Sequence, residues 1–267
     1  MTTLEHDGPK PEWAEKAPDR IIEGENSITH AIEIAGARRE RSEEVPFKLP
    51  AGPDCVSAAL DGEIHLRLPN PEGRRFRDLL VRQISNWAFS DLCGEANAPA
   101  NYLSRLSVKT VTACLSEGLA APDAKTLLAL IEREPTFNRL RAVTDLKYTR
   151  IWDVEVLRFA DALTEKLGCA PVRVTQNDRE LHVWIRQPGS NAGVHVWNSE
   201  VGAKAGGFAH CVFPADGRAS DLNAVLRFRD IVGGPDRWVR AALDLLEKSF
   251  DTHEPEALES AYSAAGK

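Results

Sequence analysis

Leu181-His182-Val183-Trp184-Ile185-Arg186-Gln187-Pro188-Gly189-Ser190-Asn191-Ala192-Gly193-Val194-His195-Val196-Trp197 decides the fold class. Leu181, Val183 and Ile185 alternate with His182, Trp184 and Arg186, the period-two pattern of a half-buried strand. Pro188-Gly189-Ser190-Asn191 supplies turn residues, and His-Val-Trp then recurs at 195–197. Two strands joined this way bring His182, Trp184, His195 and Trp197 onto one shared face. Outward from this pair, Val172–Thr175, Phe208–Phe213 and Ala224–Ile231 read as further short strands separated by turns, which favours an antiparallel sheet.

The remaining periodicities are mostly helical. Val154–Leu167 reads as a helix that Asp153 caps and Gly168 stops. A helix over 28–41 carries Ile28, Ala31, Ile32 and Ala35 on one side. Phe76, Leu80, Ile84, Trp87 and Leu92 predict a helix over 76–92, followed by helical patterns at Tyr102–Leu106 and Val108–Leu119. A last helix begins at Pro235 and turns Trp238, Ala242, Leu245 and Phe250 inward. Val45–Leu49, Glu63–Leu68, Thr126–Arg133 and Asn138–Asp145 read as strands. The expected architecture is α+β, with helices packed on a mainly antiparallel β-sheet. One domain is expected over 26–250 with a helical insert near 75–120, between a disordered acidic arm at 1–25 and a flexible tail at 251–267.

The chain has 267 residues and a net charge of −7. Residues 1–44 hold eleven acidic against six basic side chains, and residues 244–267 hold six against two. The body between them is therefore left with a balance of +2, so an acidic total does not exclude a nucleic-acid partner. Five scattered cysteines without a CxxC pair argue against a disulfide framework and against a zinc knuckle. No apolar run approaches membrane-spanning length, and the opening residues carry no apolar segment of the kind a secretion signal needs. The expected compartment is the cytoplasm.

Three passages carry a family resemblance: Asn101-Tyr102-Leu103, then Arg141-Ala142-Val143-Thr144-Asp145-Leu146-Lys147-Tyr148, then Asn198-Ser199-Glu200-Val201-Gly202. In order and rough spacing they resemble the phage/plasmid-related family known as domain of unknown function 932. That family shows an Arg-Ala-x-x-Ser-x-x-Tyr run and later an Asn-Ser-Glu-x-Gly run. The resemblance spans roughly residues 75–230, with Asp145 standing where the family has Ser. It implies an accessory protein of mobile elements. Phage single-strand annealing proteins share that niche and a helix-on-sheet build, which is analogy at the level of fold.

Arg139, Arg141, Lys147, Tyr148, Arg150 and Trp152 place four cations and two aromatics in fourteen residues. Cations bind phosphates and aromatic faces stack unpaired bases, so this segment is the candidate single-stranded nucleic-acid site. Its competing reading is a strand with a solvated basic face. Arg74, Arg75, Arg77 and Arg82 form a second basic cluster. His182, His195, His210 and Cys211, with Glu200 nearby, follow strand spacing rather than a ligand motif, so no metal and no cofactor is expected. Asn198, Ser199, Glu200 and Gly202 form a polar strand end before a Gly-rich loop. Glu200 is a potential general acid or base there, against a structural role as backbone acceptor or partner of an arginine. The leading expectation is a non-enzymatic mobile-element protein that binds or anneals single-stranded DNA in recombination or replication, as a homo-oligomer. The alternatives are an interaction module whose partner is a host or mobile-element protein, acting against host defence, and an enzyme centred on Asn198–Gly202.

Overall fold

The protein is described by a computed structural model covering residues 11–22, 27–52, 54–60, 62–68, 79–169, 171–213, 220–231 and 233–251. Expectations on the first ten residues, on Arg74, Arg75 and Arg77, and on the tail beyond 251 lie outside these residues.

In chain order the first elements are β1 (Arg20–Ile22), α1 (Ser27–Arg41), β2 (Ser42–Leu49), β3 (Val56–Ala58) and β4 (Ile64–Leu68). Then come β5 (Leu79–Val81), β6 (Gln83–Ile84), α2 (Asn86–Glu95), α3 (Ala100–Leu103) and α4 (Val108–Ala120). The second half contains β7 (Lys125–Arg133), β8 (Asn138–Asp145), α5 (Asp153–Leu167), β9 (Pro171–Gln176) and β10 (Leu181–Arg186). It ends with β11 (Ala192–Asn198), β12 (Gly207–Val212), β13 (Ser220–Arg227) and α6 (Pro235–Asp251). This is an α+β fold with a mainly antiparallel principal sheet.

The strands form three sheets. The largest has the order β1-β9-β10-β11-β12-β13 and is antiparallel throughout. A four-stranded sheet runs β2-β7-β8-β6, with β6 parallel to β8, and a three-stranded one runs β3-β4-β5. Two cores result. Val174, Leu181, Val183, Ile185, Val194, Val196 and Phe208 of the large sheet pack on α1, α5 and α6, around Phe159, Phe228 and Trp238. The two smaller sheets pack on α2, α3 and α4 around Phe47, Leu66, Phe89, Leu92 and Leu115. A small third cluster of Leu130, Ala142 and Val201, with Trp87 and Trp152 against it, lies where elements of the two halves meet.

Two expectations are corrected. The stretch 79–84 is strand, not helix: Leu66 pairs with Val81 and Gln83 with Arg139, and α2 begins only after Ser85, whose hydroxyl accepts from Ala88 N–H at 3.1 Å. The spacing of Leu80, Ile84 and Trp87 mimics a helical stripe, but sheet pairing overrides it until a true N-cap appears. Residues 11–22 are ordered structure rather than part of a mobile arm. Trp13 is buried against Phe89 at 5.0 Å between centroids, and Ile21 and Ile22 extend the large sheet through β9. One large indole and a strand edge in need of a partner outweigh the polar composition around them.

Candidate functional site

The expected nucleic-acid segment and the Asn198–Gly202 motif prove to be two sides of one buried contact. Arg141, on β8, has a side chain 2% exposed, and its Nη1 donates to Glu200 Oε2 at 2.9 Å. Glu132 on β7 lies 3.7 Å from its Nε. Glu200 uses its other oxygen to accept the backbone N–H of Asp153 at 2.8 Å. That N–H opens α5 and is one of the donors a helix leaves unsatisfied, so a carboxylate suits it both as acceptor and as counter-charge to the helix dipole.

Asp153 is the first residue of α5 rather than the cap expected from the sequence, and its carboxylate turns inward instead. It accepts from Asn198 Nδ2 at 2.8 Å and from Gln176 Nε2 at 3.1 Å. Burial, then the adjacent Glu200 charge, push the Asp153 carboxyl well above the usual range. For Arg141, burial alone would lower the pKa, but the charges of Glu200 and Glu132 hold it above its ordinary value. Glu200, Glu132 and Asp153 thus surround one buried guanidinium, whose Nε makes an ion pair but no hydrogen bond, in a buried ionic network rather than a solvated basic strand.

The motif's backbone is caught as well. Tyr148 Oη donates to Ser199 O at 3.1 Å, Arg150 Nη1 to Glu200 O, and Trp87 Nε1 to Val201 O at 3.0 Å. Three consecutive carbonyls therefore each receive a side-chain donor from outside the large sheet. Ser199 Oγ accepts Ala203 N–H at 2.9 Å, closing the turn. Gly202 has φ +83°, a conformation that favours glycine, and the Tyr148 ring packs beside it.

The six expected binding residues are accounted for accordingly. Arg139 pairs with Asp178 and Glu12, and Arg150 with Glu44 at 2.9 Å. The ring of Tyr148 has Arg150 and Arg229 over it at 5.2 and 5.0 Å, and that of Trp152 has Arg39 and Arg150 at 5.4 and 5.7 Å. The protein's own guanidiniums occupy the positions a base would take. Lys147 is the one exposed residue of the six. The expectation of a phosphate-tracking segment at 139–152 thus meets a locking contact whose cations already have carboxylates.

A different surface keeps the residue types that segment was chosen for. The helices α1, α5 and α6 pack on one face of the large sheet; on the other, the loop after β11 reaches Trp197, whose Nε1 donates to Ala205 O at 2.8 Å. Register defines rows across that face. One reads Ile21, Thr175, His182, Trp197, Gly207, Arg227; the next reads Arg173, Trp184, His195, Ala209, Val225. Arg186 begins a third with Gly193 and Cys211. Trp184 stacks on His195 at 4.7 Å with planes 3° apart, and His195 packs against Trp197 at 5.2 Å. Arg173 lies over Trp184 at 5.8 Å and Lys204 over Trp197 at 5.2 Å. Arg173, Arg186, Lys204 and Arg227 are exposed, Trp184 and His182 are half-buried, and His195 and Trp197 are buried. The His-Val-Trp echo pointed to the rings. The cations were overlooked, although Arg173 and Arg186 occupy the same period-two positions as the rings.

His210 sits opposite Val194, on the helix-covered face, and Glu200 belongs to the Arg141 network, so His182, His195, His210, Cys211 and Glu200 do not gather at one point. Among the described residues no group of three or more such side chains is placed to hold a metal ion. Nor is any described helix long and apolar enough to cross a membrane.

The class defined here is an α+β protein with one ringed, basic sheet face. Beyond that class, no family model, curated protein or solved structure matches the chain.

Proposed function

We propose that this chain binds single-stranded DNA without catalysing a reaction, through the face of its large sheet that the helices leave uncovered. The resemblance to the phage/plasmid-related family supports a setting in recombination or replication of a mobile element. The observation that carries the reading is the set of rings Trp184, His195 and Trp197 bordered by Arg173, Arg186, Lys204 and Arg227. Stacking rings beside solvent-exposed phosphate-binding cations are what sequence-tolerant single-strand binding requires. Six strands at their usual spacing span about 24 Å, room for only a few nucleotides. Useful affinity therefore calls for several copies along one strand, which is why the proposal includes a homo-oligomer.

The test is fluorescence anisotropy of a labelled oligothymidylate at low and moderate salt. Binding should weaken with salt, because each phosphate neutralised releases a counterion. Absence of binding at low salt would remove this reading. The uncovered face, with Ile21 49% and Val225 53% exposed on its two edge strands, would then be the place to seek a protein partner.

A further inference from the structure

We infer that binding at the uncovered sheet face is linked to uptake of one proton by a hydrogen-bonded chain, Glu180–His182–His195, so that affinity for a polyanion rises as pH falls toward the imidazole range. This inference rests on the nucleic-acid reading above.

The chain is set by geometry. Glu180 Oε2 lies 3.1 Å from His182 Nε2, and His182 Nδ1 lies 3.0 Å from His195 Nε2. A carboxylate only accepts, so His182 carries a proton on Nε2. In the neutral pair His182 Nδ1 must then accept from His195 Nε2–H. One added proton, entering at His195 Nδ1 while the Nε2 proton passes to His182 Nδ1, makes His182 an imidazolium that donates from both nitrogens, with His195 Nε2 becoming the acceptor. A second would set two N–H groups against each other at 3.0 Å, so the pair takes up one proton and not two. The charge would lie beside His195, on which Trp184 stacks, and among the cations proposed to meet phosphate.

The groups facing His182 set the direction of the coupling. Glu180 comes from the turn before β10, Arg173 and Thr175 from β9, His195 and Trp197 from β11, Lys204 from the loop after β11, and Asp19 precedes β1. Burial first holds His182 below its ordinary value, Glu180 opposes that, and the Lys204 charge adds to it. A phosphate drawn to Lys204 and Arg173 offsets the Lys204 repulsion that adds to burial in lowering His182, and it brings an anion that favours imidazolium. Binding therefore raises the pKa, and by reciprocity protonation tightens binding.

The experiment is calorimetric titration of the full chain with oligothymidylate near pH 6, in two buffers of different ionisation enthalpy. Anisotropy over about pH 5.5 to 7.5, the range where imidazole titrates, accompanies it. Wild type should take up a fraction of a proton per site, with affinity rising several-fold across the range and by at most about tenfold per pH unit. H182Q, read as protons per oligonucleotide bound at its own affinity, should lose that uptake. E180Q, which keeps both rings but removes the carboxylate that favours imidazolium, should keep the uptake with its midpoint moved to lower pH. Undiminished uptake in H182Q, an unmoved midpoint in E180Q, or pH-independent wild-type binding each overturns the proton link while leaving the nucleic-acid reading standing. No binding at any pH removes both.

Discussion

The Arg141 network and the uncovered sheet face are built from the same residue types and behave as opposites. In the network, Arg139, Arg141 and Arg150 meet Asp178, Glu200 and Glu44, and the aromatic faces of Tyr148 and Trp152 meet arginines. On the sheet face, Trp184 and Trp197 again meet cations, but Arg173 and Lys204 are solvent-exposed. Basic and aromatic composition is thus compatible with an internal lock or a ligand surface. What separates the two is whether a carboxylate has already claimed the charge.

The first way to break this comparison is to remove the hub of the lock. Arg141→Ala leaves Glu200 buried without its guanidinium, while Glu132 keeps Arg41, and should cost about 3–5 kcal/mol of stability. Thermal or denaturant unfolding measures it. A Glu200→Gln change should be destabilising but milder, since the amide oxygen still accepts from one donor. A near-neutral Arg141→Ala would show that the network is not the lock described here.

On the sheet face the expected losses are of affinity rather than fold. Trp184→Ala should weaken oligothymidylate binding by about 1–3 kcal/mol with little change in salt slope, because stacking releases no counterions. Melting measured beside binding separates this from partial unfolding of a half-buried ring.

Asp91 sharpens the comparison from the side of β8. Its Oδ2 accepts Val143 N–H at 2.9 Å, and burial pushes its carboxyl up to about 7. The native state then holds this proton more tightly than the unfolded chain, so the contribution of Asp91 to stability falls as pH rises from about 4, its unfolded value, toward that figure. Asp91→Asn keeps an acceptor for Val143 without the charge. It should raise stability by about 1–2 kcal/mol above neutral pH and flatten the pH dependence, the gain being discounted for relaxation around the site. Urea midpoints across pH test this, and an unchanged slope would contradict it. At the small end, Lys147→Ala should change stability by less than about 0.5 kcal/mol, as for an exposed side chain without a special role.

Local chemistry was legible in the sequence. Alternation in 181–186 and 194–197, with Pro188-Gly189-Ser190-Asn191 between them, led to a hairpin whose register places His182 opposite Trp197 and Trp184 opposite His195. Gly168 does end α5, in the left-handed region at φ +63°. Strand β5 escaped because Leu79-Leu80-Val81 has no alternation and overlaps a helical spacing of large residues. The internal pairing of segment 139–152 was hidden for a different reason. Arg141 and Glu200 are 59 residues apart, and Arg150 and Glu44 106 apart, so nothing local marks those cations as neutralised. The two most distinctive passages of sequence, 141–148 and 198–202, were legible as unusual. That they touch each other is a property of the fold.

The most direct test compares salt slopes of oligothymidylate binding in Arg173→Ala/Lys204→Ala and in Arg139→Gln, with melting curves confirming that each variant is folded. The account predicts a slope smaller by about 1.4 in the double variant, from two lost single-strand phosphate contacts, and an unchanged slope in Arg139→Gln, whose charge already faces Asp178 and Glu12. A slope that drops for Arg139→Gln and stays fixed for the double variant would return the binding site to segment 139–152 and contradict the account.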